Sequence, residues 1–137
     1  MPERRPGKIL VADNDEDILV ALEHTLETEG YATSTALTHD EAKRLLAQDC
    51  FHLCVLDDYM SDRDSIQVLT ELRQAGMSLF VIVTYHRFPS FHEEKQLYAL
   101  GVSALVNKRA HSELAQIVSR LLEPTTWRQR GVFDEMT

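Results

Sequence analysis

Cysteine is scarce, positive charge is in deficit, and no apolar run is long. The 137 residues include two cysteines, Cys50 and Cys54, too few for a disulfide framework and in keeping with a reducing, cytoplasmic setting. Lysine and arginine number 14 against 22 aspartates and glutamates, for a net charge of -8 and a pI near 5.1. Non-specific nucleic-acid binding depends on clustered cations that neutralise phosphates, so no direct nucleic-acid partner is expected. No apolar segment approaches the ~20 residues that cross a bilayer, which argues against a membrane role. Ile9 to Ala12 is far too short for the apolar region of a signal peptide. There is no internal repeat and no low-complexity tract. What is left, 44% hydrophobic and 26% charged residues, is the composition of a soluble globule with length for one sizeable core.

Residues 1–7 are charged and broken by proline and glycine, which predicts a mobile lead-in. The chain is organised around Phe51 to Met60, where Leu53, Val55 and Leu56 run into Asp57. That pattern predicts a fully buried strand whose last residue emerges at a sheet edge. Lys8 to Ala12 predicts an earlier strand, followed by acidic residues 13–17 and a helix through Ile18, Leu19, Leu22 and Leu26 that Gly30 closes. Tyr31 to Ala36 predicts the second strand. Thr38 and Glu41 have the spacing of a capping box, opening a helix that ends near Gln48 with Ala42, Leu45 and Leu46 inward. Ser61 to Ser65 reads as polar turn, and Ile66, Leu69 and Leu72 as a third helix stopped by Gly76. Leu79 to Val83 predicts a strand ending in Thr84, then a loop holding Tyr85, His86, Arg87, Phe88 and Pro89. A fourth helix, Phe91 to Leu100, a strand at Ala104 to Val106, and a fifth helix, Ser112 to Leu122, complete the pattern. The 123–137 stretch, with Pro124 and Trp127, reads as a tail or linker stub.

Strands and helices alternating at these lengths predict an α/β domain, a parallel sheet covered on both faces. Asp13 with Asn14, Asp57, Thr84 and Lys108 all follow carboxyl ends of strands, so a parallel sheet gathers them at one crevice. Carboxylates there make an oxygen-only site suited to Mg²⁺. A hydroxyl and an ammonium facing it suit an incoming phosphoryl group.

Over residues 8–122 the chain resembles a response-regulator receiver domain of the chemotaxis-regulator type, the module of two-component signalling. The matching residues are Ile-Leu-Val-Ala-Asp13, Val-Leu-Asp57 with Met60, Val-Ile-Val-Thr84, and Gly101-Val-Ser-Ala-Leu-Val-Asn-Lys108. Each motif is weakly specific; the four in order, at the family's spacing, are strongly so. The resemblance implies a flavodoxin-like, doubly wound five-stranded sheet of order 2-1-3-4-5 flanked by five helices. It implies that Asp57 is the phosphoacceptor for a sensor histidine kinase or histidine phosphotransfer protein. Thr84 would then hydrogen-bond the phosphoryl oxygen and Lys108 pair with its charge. Asp13, Asn14, Asp57 and the Tyr59 backbone carbonyl would form the Mg²⁺ site. The output would be contact with a downstream protein, with helices four and five as a face for that contact or for a homodimer. Such a domain is a phosphoacceptor rather than an enzyme, with room for slow self-dephosphorylation.

Several positions depart from the family pattern. Asn14 stands where a second acid is usual, which implies weaker Mg²⁺ binding. Tyr85 follows Thr84 in place of a small residue, and its ring would crowd the approach to the phosphoryl site. Arg109 replaces a proline, Leu105 an aromatic, and Ser61 and Ser65 a proline and a glycine; the loop after Thr84 is a residue or two longer than usual. These departures keep open a second reading, a phosphorylation-independent adaptor or dimerisation module. A third is a haloacid-dehalogenase-like phosphatase with Asp13 as nucleophile, since Asp13-Asn-Asp15 fits that signature. Simpler roles also stand: Asp15, Glu16 and Asp64 as helix caps, Lys108 as a solvated lysine, and Thr84 as a strand-ending β-branched residue. Cys50, His52 and Cys54 alternate as ligands might on a strand, but Cys54 reads as core and no fourth ligand is evident. His86 and His92 read as exposed loop residues.

Overall fold

The computed structural model describes residues 7–60 and 64–123. Residues 1–6 of the lead-in, Ser61, and Pro124 and Trp127 with the rest of the 124–137 tail lie outside the described residues.

Five strands, β1 (Lys8–Ala12), β2 (Ala32–Ala36), β3 (Leu53–Asp57), β4 (Phe80–Tyr85) and β5 (Ala104–Asn107), alternate with five helices. The helices are α1 (Glu16–Thr28), α2 (His39–Gln48), α3 (Ser65–Gln74), α4 (Phe91–Ala99) and α5 (His111–Leu122). The strands pair in parallel in the order β2-β1-β3-β4-β5, the flavodoxin-like order. Successive side chains on a strand point to opposite faces, so an apolar strand in the middle of the sheet feeds two cores at once. Leu10, Cys54, Leu56, Val81 and Val83 pack under α2, α3 and α4 with Ala42, Leu46, Val68, Leu69, Leu72 and Leu97. Ile9, Val11, Leu53, Val55, Ile82 and Val106 pack on the other face with Leu19, Leu22 and Leu26 of α1 and Leu114, Val118 and Leu122 of α5. At about 1.5–3 kcal/mol for each fully buried large aliphatic side chain, these two layers supply the main driving force for folding.

Local chemistry sets the element ends, and it moves several of them from where pattern alone puts them. Tyr31 is not in β2, because its N–H donates to Leu26 O at 3.1 Å and closes α1 together with Gly30, whose φ is +99°. β4 begins at Phe80, whose N–H donates to His52 O, whereas the Leu79 carbonyl accepts from Arg73. Ser65 is the first residue of α3 rather than turn, with Asp64 as its N-cap accepting from Gln67 N–H at 2.9 Å. Thr38 caps α2 by accepting from Glu41 N–H, but the Glu41 carboxylate accepts from Leu37 N–H rather than closing the box on Thr38. A complete capping box stands instead at α4, between Ser90 and Glu93. His92 lies exposed on α4, not in a loop. Gly7, at the start of the described chain, has φ +127°, and a Cβ there would meet Leu122 Cδ1 at 2.9 Å.

Candidate functional site

β3 is the central strand, so Asp57 leaves the sheet at a carboxyl end flanked on both sides rather than at a lateral edge. The residue is only 3% exposed. Its register partner on β4 is Thr84, and on the other side β1 pairs Ala12 with Leu56, which sets Asp13 one residue further on, level with Asp57. β4 in turn pairs Tyr85 with Asn107, so Lys108 follows directly beside them. Parallel register thus converts four distant stretches of chain into one cluster.

Lys108 Nζ lies 3.3 Å from Asp57 Oδ2 and 3.4 Å from Asp13 Oδ2, and its side chain is 13% exposed. Its backbone is held by donation from Lys108 N–H to Tyr85 O at 3.0 Å. The turn behind it is organised by Asn107, whose Oδ1 accepts from Arg109 N–H and whose main-chain O accepts from Ala110 N–H. Asp13 Oδ1 accepts from Asp15 N–H at 2.9 Å, while Asp13 Oδ2 is buried with no hydrogen bond among the described residues. Thr84 Oγ1 is likewise buried without a hydrogen-bond partner among the described residues. A buried hydroxyl without a hydrogen bond, and a buried carboxylate oxygen met only by the Lys108 ammonium that also serves Asp57, are costly unless something fills the space between them.

The electrostatics carry that cost. Burial raises the Asp57 carboxyl from 3.8 to about 6, the neighbouring Asp13 charge adds to the rise, and Lys108 and the Tyr59 N–H oppose it. Burial also raises Asp58, against a 2.7 Å hydrogen bond from Ser65 Oγ. Asp13 and Asp57 bring two carboxylates to one place, both within 3.4 Å of Lys108 Nζ, and carboxylate oxygens are the donors a hard divalent cation takes. Among the described residues no group of three or more His, Cys, Asp or Glu side chains is placed to hold a metal ion. Asn14 is exposed. With Asp15, Glu16, Asp17 and Lys108 it lines an open hollow of about 580 Å³.

In front of Asp57 opens a cavity of about 410 Å³, lined on one side by Asp58, Tyr59, Asp64 and Ile66 and on the other by His86, Arg87, Phe88, Pro89 and Glu93. Tyr85 does not crowd it, contrary to expectation: its ring meets Phe88 edge-on, centroids 5.1 Å apart at 77°, and stays out of the lining. Leu105 is half-buried against the α2–α4 layer. Asp15 caps α1 through Asp17 N–H, as its position at a strand-to-helix turn foretold. Cys54 is buried in β3 with its thiol pushed up to about 12 by burial, Cys50 is exposed, and His52 Nδ1 accepts from Lys8 N–H, so the three form no ligand set.

Two residues next to the cluster escaped sequence reasoning. Ser65, fully buried, donates to Asp58 twice, from its hydroxyl to Oδ1 and from its N–H to the main-chain O. His39, fully buried at the start of α2, places Nε2 2.9 Å from Asp57 O. His39 carries no sequence signal beyond lying next to a helix cap, and Ser65 stood out only as a departure from the family pattern, with nothing to indicate its hold on Asp58.

A family model described as Response regulator receiver domain matches residues 9–120. The alginate biosynthesis transcriptional regulatory protein AlgB of Pseudomonas aeruginosa is 37% identical over 83 residues, 60% of this chain and 18% of that protein. The response regulator MprA of Mycolicibacterium vanbaalenii is 31% identical over 121 residues, 88% of this chain and 52% of that protein. The chain therefore spans only part of the length of the curated relatives it matches. Among solved structures, the Francisella response regulator 1452 receiver domain superposes with a TM-score of 0.79 at 27% identity, covering 87% of this chain and 98% of that one. The response regulator TrrA of Thermotoga maritima, solved in complex with Mg²⁺-BeF, gives 0.74 at 26% identity, covering 84% and 98%. With the family match running from β1 into α5 and the sheet order to go with it, the chain belongs to the response regulator receiver domains, the phosphoacceptor signalling modules of two-component systems.

Proposed function

We propose that this domain accepts a phosphoryl group on Asp57 from a histidine kinase or a histidine phosphotransfer protein and signals by protein contact. The observation that carries this is the orphaned Thr84 hydroxyl, buried beside Asp57 in register while Lys108 Nζ sits 3.3 Å from Asp57 Oδ2. In the reaction an Asp57 carboxylate oxygen forms the new O–P bond as the P–N bond of the donor phosphohistidine breaks and its electron pair leaves on the imidazole. Lys108 balances the charge brought in, and Thr84 turns its hydroxyl onto a phosphoryl oxygen, which satisfies an atom that otherwise has no partner. Asp13, Asp57 and the Tyr59 carbonyl, with Asn14 beside them, would hold Mg²⁺, as the donor chemistry favours and as the TrrA complex supports by likeness. When bound, Mg²⁺ supplies positive charge that offsets the phosphoryl oxygens.

The folding unit of this reading is residues 8–122, preceded by the 1–7 lead-in and followed by the 123–137 tail. α4 bears exposed Phe91 and Tyr98, 77% and 48% exposed, which makes its face the output or homodimer surface of choice. No described helix is long and apolar enough to cross a membrane. Asp15, the second acid of the signature behind the phosphatase alternative, serves as the N-cap of α1. Exposed Asn14, in place of a second acid, favours a phosphorylation-independent adaptor as the second reading. Beryllofluoride with Mg²⁺ separates the two: under the first reading the Thr84 and Lys108 amide resonances shift on titration and those of Asp57→Asn do not, whereas an unresponsive wild type favours the adaptor.

A further inference from the structure

We infer that His39 is a positioning residue for the phosphoacceptor, holding the Asp57–Asp58 peptide so that the Asp57 carboxylate stays set against Lys108. This rests on reading Asp57 as the phosphoacceptor.

His39 is fully buried at the start of α2, where Thr38 supplies the side-chain N-cap. Its Nε2 lies 2.9 Å from Asp57 O. A carbonyl oxygen can only accept, so Nε2 carries the hydrogen and donates. The strand geometry explains why that carbonyl needs a donor from outside the sheet. Asp58 N–H points at β4 and donates to Thr84 O at 2.8 Å. Because alternate residues of a strand face alternate neighbours, the Asp57 carbonyl faces β1, where pairing with β3 stops one residue earlier at Ala12–Leu56. His39 takes the place of the missing ladder partner.

The next residue is fastened from the other side. Ser65 N–H donates to Asp58 O at 2.9 Å and Ser65 Oγ to Asp58 Oδ1 at 2.7 Å. The Asp57–Asp58 peptide is thus tied to α2 and β4, and Asp58 beyond it is tied to α3. Removing the α2 tie leaves a buried carbonyl unsatisfied, and the cheapest relief is rotation of that peptide toward another donor. Such rotation shifts the Asp57 side chain relative to Lys108 and Asp13. Groups that orient ligands from behind in this way are worth about 10–100-fold in metal affinity or activity.

The test compares His39→Leu, which keeps bulk and removes the donor, with His39→Gln, whose amide nitrogen reaches about as far as Nε2. Three readouts are taken: Mg²⁺ affinity, the rate of phosphorylation by acetyl phosphate, and amide hydrogen exchange in chelator. The leucine variant is expected to lose roughly tenfold in Mg²⁺ affinity and in rate. Its Asp58 and Tyr59 amides should exchange faster relative to those of α5, and glutamine should restore most of each loss. Wild-type values in a folded leucine variant, or equal losses in the leucine and glutamine variants, overturn the inference. Should the leucine variant not fold, His39→Asn, which keeps an amide too short to reach, is expected to show the same losses, and wild-type behaviour there overturns the inference equally. A wild type that takes no phosphoryl group defeats the phosphoacceptor reading by itself, and Mg²⁺ affinity and hydrogen exchange then decide the role of His39.

Discussion

Replacing Asp57 by asparagine should stabilise the metal-free domain, and the gain should depend on pH. Asp57 ionises at 3.8 when solvated and at about 6 in the fold, chiefly because it is buried and then because Asp13 is beside it. Between those values the native state binds more protons than the unfolded chain, so stability falls as pH rises through that window and levels off above it. A rise of about two units corresponds to about 3 kcal/mol at neutral pH, taken as an upper bound because the asparagine also forfeits attraction to Lys108. Asp57→Asn should therefore gain about 1–3 kcal/mol at pH 8, seen as a Tm higher by about 4 °C per kcal/mol. The gain should shrink toward zero by pH 4, where the native carboxyl is already protonated. Urea unfolding in chelator from pH 4 to 8 measures it, and added Mg²⁺ should narrow the gap by stabilising the wild type alone. A variant less stable than wild type at pH 8, or a gain that does not change with pH, would refute the electrostatic account of the site.

Asn14→Asp should tighten Mg²⁺ binding by roughly tenfold, since the count of ligand charges sets divalent affinity; isothermal titration checks this. Ser65→Ala removes the 2.7 Å hydrogen bond to Asp58, a half-buried carboxylate, and should cost about 1–2 kcal/mol in urea unfolding. Arg73 donates to the carbonyls of Leu100, Met77 and Leu79 at 2.8, 2.8 and 3.1 Å, joining α3 to the loops before β4 and after α4. Arg73→Ala should lower stability by about 2–3 kcal/mol without altering Mg²⁺ affinity, and lysine should not rescue it, because an ammonium cannot reproduce the guanidinium fork.

The architecture was legible because it is written in periodicity. Leu53 to Leu56 gave a buried strand, Leu114, Val118 and Leu121 gave an amphipathic helix, and strand-helix alternation gave the parallel sheet. Parallel order then gathered Asp13, Asp57, Thr84 and Lys108 without further information. What stayed hidden depends on hydrogen bonds that no spacing encodes. Leu79 looked like strand, yet its carbonyl serves Arg73 and the ladder starts one residue later. Tyr85 looked like an obstruction, yet its ring finds Phe88. His39 looked like one more polar residue in a helix's first turn; its burial follows from the abrupt end of the β1–β3 ladder, which is a tertiary fact.

The central claim is that Asp57 takes the phosphoryl group, and intact-mass measurement after incubation with acetyl phosphate and Mg²⁺ tests it most directly. The wild type should gain one phosphoryl group, lose it under chelator-free hydrolysis over time, and gain none when Asp57 is asparagine. An unmodified wild type, or a phosphorylated Asp57→Asn, would contradict it.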